Sequence, residues 1–248
     1  MKIVNCKLPI PQFAFFNFHF AFFNSVSVPS VSPWLTALAR ILITSGPTRQ
    51  FIDPVRYLTN ASSGRMGRAL AEAALALGHE VVIVSGPVEV EYPPRARVVP
   101  VVSTEEMLAA AAREFETCDG LIGAAAPCDY RPVRIESHKI TKTGQPLDLH
   151  LIETDDVVAT LSAKKGHRWV VGFALETEDH RLRALAKLEK KFCDLMVSNG
   201  PQAISSLDNE VEVITPTGEV IATVTDTKDA VAREILEIIQ QRLIERHF

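Results

Sequence analysis

The stretch ARILITSGPTRQFIDPVRYLTNASSGRMGRALAEAALALGHEVVIVSGP, residues 39–87, decides the fold. Its opening, ARILITSG (39–46), is a β-branched apolar run that ends in Gly and reads as a buried strand. GRMGRALAEAALALG (64–78) is rich in Ala, lacks Pro and stops at Gly78, which reads as a helix. HEVVIVSGP (79–87) is a second buried strand with the same Ser-Gly-Pro ending as the first. Strand, crossover helix and strand in this order make the unit of a parallel sheet.

The pattern continues outward. ARVVPVVS (96–103) reads as a strand, and Ser103 caps the helix TEEMLAAAAREFETC with Glu106 at the capping-box position. CDGLIGAAAP (118–127), LDLHLIE (147–153), RWVVGFALE (168–176) and CDLMVSNG (193–200) are further strands. Between them lie the helix DDVVATLSAKKG, capped by Thr154 or Asp155, and the charged amphipathic helix 178–192. EVEVITPTGEVIATVT (210–225) reads as a hairpin turning at Pro216-Thr217-Gly218, and a helix from about Asp229 to Arg246 closes the chain. The expected architecture is a doubly wound, Rossmann-like α/β sheet, mostly parallel, with helices on both faces and a C-terminal β-hairpin.

In such sheets ligands sit beyond the carboxyl ends of the strands. After the first strand comes a loop of about twenty residues, long enough to suggest function. It holds Asn60-Ala-Ser-Ser-Gly-Arg-Met-Gly67, where Ser62 or Ser63 can cap the helix and its dipole favours an anion. Arg56, Arg65 and Asn60 can then hold a phosphate or a reacting carboxyl group. An ordinary helix N-terminus explains the same Ser and Asn equally well. GAAAPCDYRP (123–132) offers small residues at a strand end, where a base can be read by main-chain groups. Tight packing of Ala followed by a turn accounts for it too. HKITKTGQP (138–146) is a cationic loop able to fold over phosphates, or simply a solvated basic loop. Lys187 and Lys191 share one helix face, as i,i+4 pairs do.

Several classes are disfavoured. No GxGxxG joins the first strand to its helix, and the second strand ends in Ser85-Gly86 rather than an acidic residue; both count against a nicotinamide-dependent oxidoreductase. The seven His make no HxxxH or HExxH pattern, and no G-x-S-x-G elbow occurs. The four Cys show no CxxC pairing, which suits a reducing, cytoplasmic compartment. A net charge of −4 argues against nucleic acid as a partner, and 47% apolar content over 248 residues supports a sizeable core. FAFFNFHFAFF (13–23) is too short and too interrupted to span a membrane. Residues 1–38 are expected to be an irregular, disordered extension, and 39–248 the functional domain.

Taken together, ITSGPTRQFIDPVRYLTNASSGRMG, VSGP, AAAPCDYRP, KITK, GFALETE and CDLMVSNG resemble the phosphopantothenate–cysteine ligases of coenzyme A biosynthesis, over about residues 40–245. The resemblance is to the bacterial, CTP-dependent branch. It implies that the carboxylate of 4′-phosphopantothenate is activated as an acyl-cytidylate with Mg²⁺ on the phosphates, and that L-cysteine then displaces CMP. Carried over by position, Asn60 contacts the activated acyl group, Arg56 holds the substrate side, and Lys139 neutralises phosphate charge from a flap. Gly123, Ala124 and Ala125 frame the nucleotide with Asp129 beside them. Thr154, Asp155, Asp156, Val157 and Phe173 complete its pocket, and Lys187 and Lys191 approach the triphosphate. The resemblance also implies a homodimer, and hairpin 210–225 is expected to form part of the contact. Many bacterial members are fused behind a flavin-dependent decarboxylase; roughly 40 leading residues are too few for that domain, so no FMN is expected and a separate decarboxylase is the expected pathway partner. Four positions depart from the family pattern: Thr141 for a flap Lys, TDDV for NPDI, Pro127-Cys128 for Val-Ala, and SNG for AND. Such departures keep open a non-catalytic nucleotide-binding module, beside the disfavoured NAD(P)-dependent oxidoreductase.

Overall fold

The computed structural model describes residues 37–175, 180–199 and 208–245. The expected extension 1–38 therefore lies, apart from its last two residues, outside the described residues.

Six parallel strands make up most of an eight-stranded sheet, out to one edge: β1 (Arg40–Ser45), β4 (Glu80–Ser85), β5 (Arg97–Pro100), β6 (Gly120–Gly123), β9 (Trp169–Leu175) and β10 (Leu195–Asn199). The antiparallel pair β11 (Asp208–Ile214) and β12 (Val220–Thr227) extends the sheet beyond β10. Their order is β12-β11-β10-β9-β6-β1-β4-β5. The chain runs outward in one direction from β1 and in the other from β6, so the switch point where a doubly wound sheet opens a crevice lies between these two strands. The hairpin turns where expected, with Gly218 at φ 84° closing a turn from the Thr215 carbonyl.

Strand β1 alternates between two cores. Ile41 and Ile43 join Leu70, Ala74, Ile235 and Ile239 on the side of α1 (Arg65–Ala76) and α5 (Lys228–Ile239). Leu42 joins Met107, Phe115, Leu161 and Leu188 on the side of α2 (Thr104–Phe115), α3 (Val157–Ser162) and α4 (His180–Lys190). Both faces of the sheet are thus buried, which explains why its central strands read as continuous apolar runs.

Five local expectations are corrected. The long segment after β1 is no open loop: it folds into an antiparallel ribbon, β2 (Arg49–Asp53) with β3 (Arg56–Thr59). The segment 147–153 contributes only β8 (Leu151–Glu153), which pairs with β7 (Tyr130–Pro132) outside the main sheet. Neither Ser62 nor Ser63 caps α1; its N-cap is Gly64 in the left-handed region, with no side-chain cap. Asp156, one residue beyond the expected Thr154 or Asp155, caps α3 by accepting from Ala159 N–H at 3.0 Å. The closing helix ends at Ile239 and continues as a π-helical turn, Gln240–Ile244. Ser103 does cap α2, but Glu106 reaches back to Val102 N–H rather than to the cap residue itself.

The repeated Ser-Gly-Pro endings have a packing reason. A Cβ on Gly86 would overlap the carbonyl oxygen of Pro47, so the segment after β4 lies directly against the one after β1. A bridge from Pro47 to Ala126 ties the latter segment to the one after β6.

Candidate functional site

Two cavities open at the carboxyl end of the sheet. The first, about 490 Å³, lies between Asn60–Gly67, the small residues Ala124–Ala126, and Lys187, Asn199 and Lys228. The second, about 290 Å³, lies between Gly123, Cys128, the segment Glu153–Val158, Lys190 and Lys191. They share one wall, made of Ala125, Pro127, Asp129 and Phe173. That wall stands beside the switch point: Ala125 and Pro127 follow β6, one of the two strands that flank it, and Phe173 lies in the neighbouring β9.

Several hydrogen bonds fix the wall. Asn60 Nδ2 donates to the carbonyls of Ala126 at 3.2 Å and Pro127 at 2.8 Å. Thr154 Oγ1 donates to the Cys128 carbonyl at 2.6 Å, and Thr154 N–H to the Asp129 carbonyl. Cys128 N–H donates to Thr48 Oγ1 at 2.8 Å. The Cys128 thiol points back to the Thr48 and Leu58 carbonyls, and burial pushes its pKa up. A buried, protonated thiol is a poor nucleophile, so Cys128 acts here as packing.

Most residues expected from the sequence meet at these cavities. Asn60 and Ala124 line the first; Gly123, Thr154, Asp155, Asp156 and Val157 line the second; Ala125, Asp129 and Phe173 face both. Gly123 matters for its lack of a side chain, since a Cβ would stand 2.5 Å from Val158 Cγ2. Lys187 and Lys191 part company: Lys187 lines the first cavity and Lys191 the second. Lys191 Nζ is held 3.0 Å from Asp156 Oδ2, so one carboxylate both caps α3 and positions a lysine.

Arg56 and Lys139 stand apart. Arg56 forms an ion pair with Asp53 and donates to the Ile140 carbonyl at 2.7 Å, and Asp53 also accepts from Ile140 N–H at 3.1 Å. The pair therefore latches the basic loop 138–146 to the ribbon β2–β3. Asp53 is fully buried. Burial would raise its pKa, but hydrogen bonds from Val55, Arg56 and Ile140 outweigh that and hold it at about 2. Lys139, next to the latch, lines a third cavity of about 590 Å³ with Glu136, Ile140 and Leu147–His150.

Sequence reasoning missed Lys190, Asn199 and Lys228. Asn199 ends a parallel strand, so the strand-end rule would have found it. Lys228 follows an antiparallel strand and opens α5, and no local motif marks it. Among the described residues no group of three or more His, Cys, Asp or Glu can hold a metal ion, and no helix is long and apolar enough to cross a membrane.

Residues 36–243 match the family model for the DNA/pantothenate metabolism flavoprotein C-terminal domain. The chain belongs to that family. It is 43% identical over 207 residues to the coenzyme A biosynthesis bifunctional protein CoaBC of Vibrio vulnificus strain YJ016, covering 81% of this chain and 51% of the relative. The CoaBC protein of Bacillus subtilis strain 168 is 42% identical over 164 residues, covering 66% of this chain and 40% of the relative. The chain thus spans about half the length of these curated relatives or less. A crystal structure of the C-terminal domain of a CoaBC protein superposes with a TM-score of 0.73 at 39% identity, covering 85% of this chain and 99% of that one. A Cab2 variant in complex with phosphopantothenate-cysteine shares the fold, with a TM-score of 0.68 at 16% identity, covering 84% of this chain and 88% of that one.

Proposed function

We propose that this family member is a phosphopantothenate–cysteine ligase of coenzyme A biosynthesis, joining 4′-phosphopantothenate to L-cysteine through an acyl-cytidylate. The observation that carries this reading is the pair of cavities meeting at Ala125, Pro127, Asp129 and Phe173. A reaction that links a carboxylate to a nucleotide needs two sites whose contents touch at one place. The first cavity takes the acyl substrate and the second takes CTP.

In the first step a carboxylate oxygen attacks the α-phosphorus of CTP, an O–P bond forms, and the bond to the β-phosphate oxygen breaks to release pyrophosphate. In the second step the cysteine amine attacks the acyl carbon, a C–N bond forms, CMP leaves with the acyl C–O electrons, and the amine loses a proton. Neither step requires a protein nucleophile; positioning and charge neutralisation suffice. Lys191 lines the cavity proposed for CTP and Lys187 the cavity on the other side of the shared wall, so the two supply cationic charge on either side of the junction where the α-phosphate reacts. Asn60 holds the Ala126–Pro127 backbone beside the acyl group. Gly123, whose missing side chain keeps the nucleotide cavity open, Thr154–Val157 and Phe173 receive the nucleotide.

Mg²⁺ is expected to arrive with CTP. Glu153 and Asp155 at the cavity rim offer the hard oxygen ligands it prefers. Since the described residues form no three-ligand cluster, phosphate oxygens would hold most of its coordination sphere. Lys139 enters this scheme only through movement of the loop that Asp53 and Arg56 latch. The decarboxylation that follows is a separate, FMN-dependent reaction, and the two steps proposed here need no flavin. A homodimer is also part of the reading, in the cytoplasm. Large exposed apolar side chains such as Val55, Tyr57, Val133, Ile135 and Leu151 gather on the ribbons and the segment after β7, whereas among the described residues none of the large exposed ones lies on β11–β12.

The test is pyrophosphate release with 4′-phosphopantothenate, cysteine and Mg²⁺, run with CTP and with ATP. Release with CTP that depends on phosphopantothenate supports the ligase, and release with ATP alone reassigns the nucleotide. The placement of Arg56 and Lys139 outside both cavities favours, as second reading, a module that binds nucleotide without turnover. Nucleotide binding without pyrophosphate release would establish that reading instead.

A further inference from the structure

Residues 126–129 carry Pro127 and Asp129 of the shared wall and lie between β6 and β7, outside both strands. No ladder holds their backbone, so its polar groups must find other partners. All four carbonyls do. Those of Ala126 and Pro127 accept from Asn60 Nδ2, and that of Asp129 from Thr154 N–H. The Cys128 carbonyl accepts from two hydroxyls, Thr154 Oγ1 at 2.6 Å and Thr104 Oγ1 at 3.2 Å.

The Cys128 amide is held as well, by Thr48 Oγ1 at 2.8 Å, and Thr48 Oγ1 lies 2.8 Å from Thr104 Oγ1. Proton counting gives this group a direction, since a hydroxyl has one proton to donate. That of Thr104 goes to the Cys128 carbonyl. Thr48 therefore donates to Thr104 and takes the Cys128 N–H on a lone pair. Amide, Thr48, Thr104 and carbonyl close into one circuit around a single residue. Thr48 is 0% and Thr104 1% exposed, so water is not at hand to replace a lost hydroxyl. Neither threonine lines either cavity.

The circuit ties the wall to a distant element. Thr104 is the first residue of α2, and the next one, Glu105, holds the far side of the same segment. Glu105 accepts from Gln50 Nε2 at 2.9 Å and pairs with Arg131 Nε at 3.1 Å. Asp129 is thus bracketed by two attachments to the first turn of α2, one through Cys128 and one through Arg131.

Building on the ligase reading, we propose that Thr48 and Thr104 are positioning residues for the ligation, setting the Cys128–Asp129 peptide at the junction where the two substrates meet. They fix that peptide from the interior, and Thr154 hangs the nucleotide segment 154–157 on the same carbonyl. A shift of the peptide moves Asp129 and the nucleotide segment together, and so changes the distance between the reacting carboxylate and the α-phosphate.

The experiment compares the full chain with Thr48→Val, which removes the hydroxyl at nearly constant shape, with Thr48→Ser, which keeps it, and with Thr104→Val. Pyrophosphate release is measured with 4′-phosphopantothenate, cysteine, CTP and Mg²⁺, beside the thermal midpoint. Thr48→Val is expected to lower kcat about 10- to 100-fold, the scale of a misplacement near 1 Å. KM for CTP should rise by a smaller factor of about three, and KM for 4′-phosphopantothenate should hold. Thr48→Ser restores most of the kcat. Thr104→Val opens the same circuit and gives a similar loss, so the double variant loses little more than either single one. A lower thermal midpoint with unchanged kcat makes Thr48 a structural residue and overturns the assignment, as do single losses that multiply in the double variant. Thr104→Val carries the test should Thr48→Val fold poorly. Should the unmodified chain release no pyrophosphate, the ligase reading falls separately. Calorimetry with CTP then decides the circuit: weaker binding in Thr48→Val that returns in Thr48→Ser upholds it, and equal binding in all three proteins sinks it.

Discussion

Asn60 shows how a residue can matter to a reaction through its hold on backbone rather than through chemistry of its own. Its amide nitrogen bridges the Ala126 and Pro127 carbonyls, and Pro127 belongs to the wall where the two substrates are proposed to meet. Asn60→Ala removes two exposed hydrogen bonds, each worth about 0.5–1.5 kcal/mol at most, so the fold should survive. A displacement of the reacting groups by about 1 Å costs on the order of 100-fold in rate. The expected result is a fall in kcat of roughly 10- to 100-fold with little change in thermal midpoint. An equal loss of stability and activity would make Asn60 a structural residue only. Gly123 offers the opposite test, because the added methyl of Gly123→Ala meets Val158 Cγ2 at 2.5 Å. Overpacking of this kind costs about 1–3 kcal/mol, and a shift of α3 to relieve it narrows the nucleotide cavity. KM for CTP should rise in Gly123→Ala while KM for 4′-phosphopantothenate holds; the reverse pattern would exchange the two cavities.

At the scale of elements, the ribbon β2–β3 and the loop 138–146 are joined by one buried carboxylate. Asp53 has its folded-state pKa depressed from the ordinary 3.8 to about 2. Its contribution to stability is therefore complete above about pH 4 and is lost as the pH falls through about 2. The urea midpoint of the protein should drop across that window, and Asp53→Asn should start lower at neutral pH and flatten the drop. Parallel curves for the two proteins would show that the latch carries no linkage. This ribbon is also where the sequence was least legible. RQFID and RYLT lack the apolar run of a core strand, and each buries only part of one face, so neither periodicity nor propensity marks them against a loop. By contrast β1, β4, β6 and β9 were plain in the sequence because both their faces are covered. The cap of α1 escaped for another reason: Ser62 and Ser63 are ordinary capping residues, and only the φ of 76° at Gly64 shows that the chain turns there instead.

For the whole molecule, sheet topology converts scattered motifs into one place. The carboxyl ends of β1, β6 and β9 are far apart in sequence, yet the order β9-β6-β1 sets them side by side. Asn60, Ala125, Asp129 and Phe173 were therefore legible as strand-end residues, because a doubly wound sheet has one such edge. Lys228 was not, since its place follows from how α5 packs on α1, which no local pattern encodes. Arg56 and Lys139 teach the same lesson in reverse: their motifs are adjacent to the site in sequence pattern, but Asp53 holds them elsewhere.

The shared wall of Ala125, Pro127, Asp129 and Phe173 has a consequence for the order of events. Each cavity is lined independently on its other sides, so neither substrate has to pass through the other's chamber to reach the junction. Loading is then random: initial rates with CTP varied at several fixed concentrations of 4′-phosphopantothenate should give intersecting lines, and each compound should bind the protein alone. A compulsory sequence, with one ligand silent until the other is present, would mean that the wall is built only by the first arrival. On the ligase reading, the acyl-nucleotide would form at this junction with its two halves in different chambers, and cysteine would have to come to it there.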